Sequence, residues 1–96
     1  MRNYEIMFIV RPTLSENEVK KVIENFGNIL TSNGAKIVDS RDMGQKELAY
    51  EIKKFKSGYY YLYTVEASDD KAIREFDRLA LISNDVIRHL VTKIEK

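Results

Sequence analysis

The sequence predicts an α+β domain in which a four-stranded antiparallel sheet carries two helices on one face. Three observations lead there. Segments with an apolar period of two alternate with segments of period 3.6 in the order βαββαβ. Local capping and turn chemistry separates the segments. With 96 residues, 44% apolar and 32% charged, the chain has the length and composition of one ordinary globular domain.

The first strand is Asn3–Val10, with Tyr4, Ile6, Phe8 and Val10 on one face and Glu5, Met7 and Ile9 on the other. A strand apolar on nearly both faces belongs inside a sheet. Pro12, the single proline, closes the segment. Ser15-Glu16-Asn17-Glu18 forms a capping box, because Ser15 can accept the Glu18 N–H while the Glu18 side chain reaches back. Val19, Val22, Ile23, Phe26, Ile29 and Leu30 then make one helical stripe, and Asn33-Gly34 ends the helix.

From Ala35 to Ile52 the alternation loosens and Gly44 interrupts it, the pattern of a bent or bulged edge strand. A basic turn is expected over Lys53–Gly58, followed by an aromatic strand over Gly58–Ala67. In that strand Tyr59, Tyr61, Tyr63 and Val65 share one face, and Tyr60, Leu62, Thr64 and Glu66 share the other. Ser68-Asp69-Asp70 is expected to cap a second helix with inward residues Ala72, Ile73, Phe76, Leu79 and Ala80. Asn84-Asp85 turns the chain into a last strand, Val86–Ile94.

The result is a single ferredoxin-like βαββαβ sandwich over residues 1–96. Right-handed crossovers place both helices on one side, with strands one and three central and strands two and four at the edges. The other side of the sheet is expected to lie open.

Catalysis has little to stand on. His89 is the only imidazole and reads as a packed strand residue between Ile87 and Val91. With no cysteine there is no thiolate nucleophile or Cys-based metal site, and the absence suits a reducing cytoplasm. Ser15, Ser68 and Ser83 sit at helix boundaries, and Asp69/Asp70 at a helix start. No glycine pattern cradles phosphate. The expectation is therefore no enzyme, no metal, no cofactor and no small-molecule substrate. The Ile6–Val10 apolar run is too short to span a bilayer, so no membrane association is expected.

Sixteen Lys+Arg against fifteen Asp+Glu give a charge of +1, which excludes a generally basic nucleic-acid coat but not a local basic surface. Residues 68–85 net −2 and residues 86–96 net +2. Lys53, Lys54 and Lys56 gather at the second hairpin with Lys46 upstream, a solvated turn or a phosphate contact. Arg2, Arg88 and Lys93 could extend that surface along strands one and four. Tyr60 is a candidate base-stacking residue, but an open face with Met7, Ile9, Tyr60, Leu62 and Leu90 suits a protein partner better.

Met1-Arg2-Asn3-Tyr4-Glu5, the stretch Gly44-Gln45-Lys46-Glu47-Leu48-Ala49-Tyr50-Glu51-Ile52-Lys53, Gly58-Tyr59-Tyr60 and Val86–Val91 resemble the bacterial small-subunit ribosomal protein six family. The resemblance covers essentially the whole chain. It implies a structural component of the small ribosomal subunit in the cytoplasm, without catalytic activity or cofactor. It further implies binding to the central domain of small-subunit ribosomal RNA together with small-subunit ribosomal protein eighteen. On the residues, it implies RNA contact by Arg2, Lys46, Lys53 and Arg88, and adds Tyr50 to the RNA-side or partner positions. Many relatives carry a longer C-terminal tail, and contacts made through one are not expected of a chain that stops at Lys96. The alternative is a ferredoxin-like regulatory or dimerisation module that binds a small molecule or protein through its open sheet.

Overall fold

Local chemistry explains where each element starts and stops. In the computed structural model, which describes residues 2–94, the order is β1 (Arg2–Val10), α1 (Glu16–Ser32), β2 (Lys36–Ile52), β3 (Phe55–Ala67), α2 (Lys71–Ile82) and β4 (Val86–Ile94). The capping box at α1 is formed: the Glu18 N–H donates to Ser15 Oγ at 3.3 Å, and the Ser15 N–H donates to Glu18 Oε1 at 3.3 Å. The Ser15 hydroxyl also donates to Glu18 Oε1 at 3.0 Å, and this bond first, then that of the Ser15 N–H, holds the Glu18 carboxyl below its ordinary value of 4.5. At the other end Gly34 takes φ +93°, the left-handed conformation expected after Asn33. The start of α2 differs from expectation. Asp70 is the N-cap residue but makes no capping bond with its side chain, and the Lys71 N–H donates instead to Asp69 Oδ1 at 3.0 Å. Asp70 pairs with Arg74 one turn on, at 3.1 Å.

The sheet runs β2-β3-β1-β4 with antiparallel neighbours throughout, so the two most apolar strands are central as predicted. Tyr4, Ile6, Phe8 and Val10 of β1 pair with Val65, Tyr63, Tyr61 and Tyr59 of β3 on the helix side. Phe8 lies at the centre, its ring 5.7 Å from those of Phe26 and Phe76, 5.8 Å from Tyr61 and 6.0 Å from Tyr63. Ile6, Phe8, Val10, Leu30, Val65, Ala72 and Phe76 are fully enclosed. The larger of these side chains each contribute about 1.5–3 kcal/mol by leaving water. The Tyr63 hydroxyl donates to the Ile23 carbonyl at 2.8 Å, tying β3 to α1. Burial above all, then repulsion from Tyr61 and Glu24, pushes its phenol up to about 12.

The second hairpin departs most from the sequence reading. β3 begins at Phe55, so the expected Lys53–Gly58 turn contracts to Lys53-Lys54, and Lys56 belongs to the strand. As predicted, β2 is irregular at Gly44, which has φ +75° and donates its N–H to Asp42 Oδ1 at 2.8 Å. A larger irregularity follows. Glu47 pairs with Ser57 and Ile52 with Phe55, so Leu48, Ala49, Tyr50 and Glu51 stand opposite Lys56 alone. The surplus residues arch out of the ladder and over the sheet face away from the helices. That face is therefore partly covered, not open throughout.

Candidate nucleic-acid and partner interface

Strand register lays out the face away from the helices row by row. Nearest the hairpin, Tyr60, Ile9 and Arg88 lie side by side on β3, β1 and β4. Leu62, Met7 and Leu90 form the next row, and Thr64, Glu5 and Thr92 the one after. Apolar character is thus confined to the hairpin end, and the far end is polar. The arch residues Leu48, Ala49 and Tyr50, with the paired Ile52 beside them, enclose a hollow of about 170 Å³ against Met7, Ile9, Tyr60 and Leu90, with Arg88 in its wall.

Of the expected partner residues, Leu90 and Tyr50 are exposed (54% and 69%), while Met7, Tyr60 and Leu62 are half-buried. Ile9 is a correction: at 4% exposure it is already covered within the chain and has no free surface to offer. Two features cover it. The arch closes over it, and Gly58 leaves the space its side chain occupies. A Cβ on Gly58 would sit 2.4 Å from Ile9 Cγ2 and 3.1 Å from the Val10 carbonyl oxygen.

The basic residues divide into two groups. Lys46 lies with its Nζ 5.8 Å from the centre of the Tyr60 ring, a cation–π contact that occupies the tyrosine proposed for base stacking. Lys53 shares a hollow with Arg88 at the end of α2, beside Ala80 and Leu81. Lys56 flanks the arch next to Glu47 and Glu51, and Lys54 occupies the turn. Arg88, from the opposite edge strand, thus joins the hairpin lysines. Arg2 and Lys93 do not. Arg2 pairs with Ala67 and Lys93 with Tyr4, in phase with the helix-side residues. They sit at the far end of the sheet, about 27 Å (Arg2) and about 20 Å (Lys93, opposite Tyr4) along β1 from Val10 at 3.4 Å per residue. The basic surface expected to continue along strands one and four is interrupted there by Glu5 and Thr92.

Among the described residues the ion pairs are made by arginines and His89, and no lysine takes part in one. Arg11 pairs with Asp85 at 2.9 Å, Arg41 with Asp39 at 3.5 Å, Arg74 with Asp70 and Arg78 with Glu75. Among the described residues Lys46, Lys53, Lys54, Lys56 and Arg88 have no carboxylate within ion-pair distance. His89, as its alternation predicts, packs inward: its side chain is 13% exposed, 2.6 Å from Asp77 and edge-on to Phe76. No group of three or more His, Cys, Asp or Glu side chains among the described residues is placed to hold a metal.

Sequence reasoning missed the arch. Leu48 and Ala49 belong to β2 as the sequence predicts, but their surplus, with that of Tyr50 and Glu51, shows only against the pairing of β3. It also passed over Leu81 and Ile82, which are 67% and 68% exposed at the end of α2.

Comparison with known proteins gives these features a family. The family model for ribosomal protein S6 matches residues 3–93. The crystal structure of 30S ribosomal protein S6 from Thermotoga maritima is similar at TM-score 0.93 and 29% identity, covering 97% of this chain and 87% of that one. Two further structures share the fold alone. The C-terminal domain of the MgtC protein from Mycobacterium tuberculosis matches at TM-score 0.63 and 14% identity, covering 99% of this chain and 89% of that one. A protein from Arabidopsis thaliana matches at TM-score 0.56 and 10% identity, covering 100% and 95%. The chain belongs to the ribosomal protein S6 family, and is thus a non-enzymatic structural protein of the small ribosomal subunit in the cytoplasm.

Proposed function

We propose that the chain binds the central domain of small-subunit ribosomal RNA jointly with small-subunit ribosomal protein eighteen, using the hairpin end of the sheet. The observation that carries this reading is the gathering of Lys46, Lys53, Lys54, Lys56 and Arg88, without ion-pair partners among the described residues, around an apolar hollow. Unpaired cations release counterions when they meet phosphates and need no base-specific geometry. Met7, Tyr50, Tyr60, Leu62 and Leu90 supply an apolar patch with a polar surround, the composition of a protein contact. A chain of charge +1 holds RNA weakly by itself, so the partner supplies additional positive surface. Arg2 and Lys93, at the far end, make at most a separate contact.

A small-molecule regulatory module is the poorer reading: the apolar hollow of about 170 Å³ is below the roughly 300–1,000 Å³ of typical ligand sites, and the wider groove of about 490 Å³ beside the arch is lined mostly by exposed residues, Glu47, Glu51 and Lys56 among them. Neutralising Lys53, Lys54 and Lys56 tests the proposal. The slope of log affinity against log salt, measured for RNA binding by the two-protein complex, falls by about 1 for each lysine in contact. An unchanged slope overturns it.

A further inference from the structure

We propose that Lys53-Lys54 is a two-point grip on backbone phosphates of RNA, held on a turn whose backbone is strained for lysine. The proposal rests on the RNA reading above and deepens it. Ile52 pairs with Phe55, so these two residues alone close the hairpin. Both lie in the left-handed region, Lys53 at φ +50° and Lys54 at φ +71°. Consecutive positive φ values define the turn whose twist matches the strands, and Asn-Gly, Asp-Gly or Gly-Gly normally fill it. Lysine lacks both the freedom of glycine and the short polar side chain that lets asparagine tolerate this conformation. Two adjacent ammonium groups add repulsion.

Nothing in the packing asks for lysine there. Both side chains are exposed, and neither has an ion-pair partner among the described residues. The strain is also held in place. Ile52 and Phe55 anchor the turn as half-buried residues, and Lys53 lies against Ala80, Leu81 and Arg88, so the tip sits beside the body of the domain. A sequence that keeps two lysines where glycine chemistry is favoured presents paired exposed cations at the tip of the second hairpin. Strained backbone at a binding site is the pattern expected when the side chains carry function.

The test compares four pairs of substitutions in the full chain. K53N with K54G installs the favoured turn pair and removes both charges. The melting temperature of the free protein rises by about 4–8 °C, while the salt slope for binding a central-domain ribosomal RNA fragment, with ribosomal protein eighteen present, falls by about 2. K53R with K54R keeps charge and backbone and changes neither reading. K20Q with K21Q removes two exposed α1 lysines that also lack ion pairs, and leaves the slope unchanged. A melting temperature that stays or drops in K53N/K54G overturns the proposal, as does an equal slope loss in K20Q/K21Q. If K53N/K54G keeps the slope but K56A with R88A lowers it, the grip is wrong and the RNA reading stands. If no pair moves the slope, the RNA reading itself fails.

Discussion

Gly27 lies in the middle of α1, where glycine costs roughly 1 kcal/mol relative to alanine, and the structure gives a reason for it that can be measured. A Cβ on Gly27 would stand 2.8 Å from Tyr63 Oη, 3.3 Å from Tyr63 Cζ and 3.6 Å from Ile37 Cδ1. The phenol has no easy retreat, because Tyr63 is 5% exposed and its hydroxyl is bonded to the Ile23 carbonyl. Gly27→Ala therefore sets about 1 kcal/mol of helix propensity against about 1–3 kcal/mol of overpacking. A displaced phenol also weakens a hydrogen bond of about 1 kcal/mol. The net expectation is a loss of about 1–2 kcal/mol, or about 4–8 °C of melting temperature for each kcal/mol.

Tyr63→Phe removes the closest atom and by itself costs about 1 kcal/mol. In that background Gly27→Ala is expected to be neutral to within about 0.5 kcal/mol, so the double-mutant cycle shows a coupling of about 1–2 kcal/mol. Urea unfolding followed by circular dichroism reads all four proteins. Equal losses from Gly27→Ala in both backgrounds would refute the steric argument.

Three other outcomes follow from the same geometry. Gly58→Ala drives a Cβ into Ile9 and destabilises by about 1–3 kcal/mol; Ile9→Ala relieves the clash, and denaturant midpoints that add independently would show that the close approach is absent. Ser15→Ala costs about 1 kcal/mol of stability and returns the Glu18 carboxyl toward 4.5. Because the folded value lies below the unfolded one, the stability linked to Glu18 is present above 4.5 and disappears as pH falls through the folded value. A Glu18 titration unmoved by the substitution, followed by NMR, contradicts that cause. Finally, neutralising Arg2 and Lys93 lowers the RNA salt slope by less than neutralising Lys53, Lys54 and Lys56, and the reverse ranking moves the RNA surface to the far end.

The parts legible in the sequence are those set by neighbours a few residues apart. Ser15 and Glu18 cap α1 by contact within one turn, Gly34 releases it through its own backbone freedom, and β1 declares its central place by being apolar on both faces. The orientation of the tyrosine row follows from period two alone. What stayed hidden depends on partners distant in the chain. Leu48–Glu51 are surplus only relative to β3, and the arch they form buries Ile9, roughly forty positions earlier. Gly27 and Gly58 look like ordinary glycines until Tyr63 and Ile9 come against them. Arg2 and Lys93 differ in kind: the structure places them apart from the hairpin lysines, in helix-side phase. Their phase with Tyr4 and Val91 was visible, but their shared charge with Arg88 outweighed it. Charge alone does not place a residue on a surface; strand phase and distance along the sheet do.

The central claim is joint recognition: a chain of charge +1 that grips RNA through one end of its sheet and depends on a second protein for affinity. The most direct measurement is the equilibrium affinity for a central-domain fragment of small-subunit ribosomal RNA at physiological salt, with and without ribosomal protein eighteen. The account predicts weak binding by the isolated chain, at or above the micromolar range usual for non-specific contacts, and much tighter binding by the pair. Tight binding by the isolated chain, unchanged when the partner is added, would contradict it.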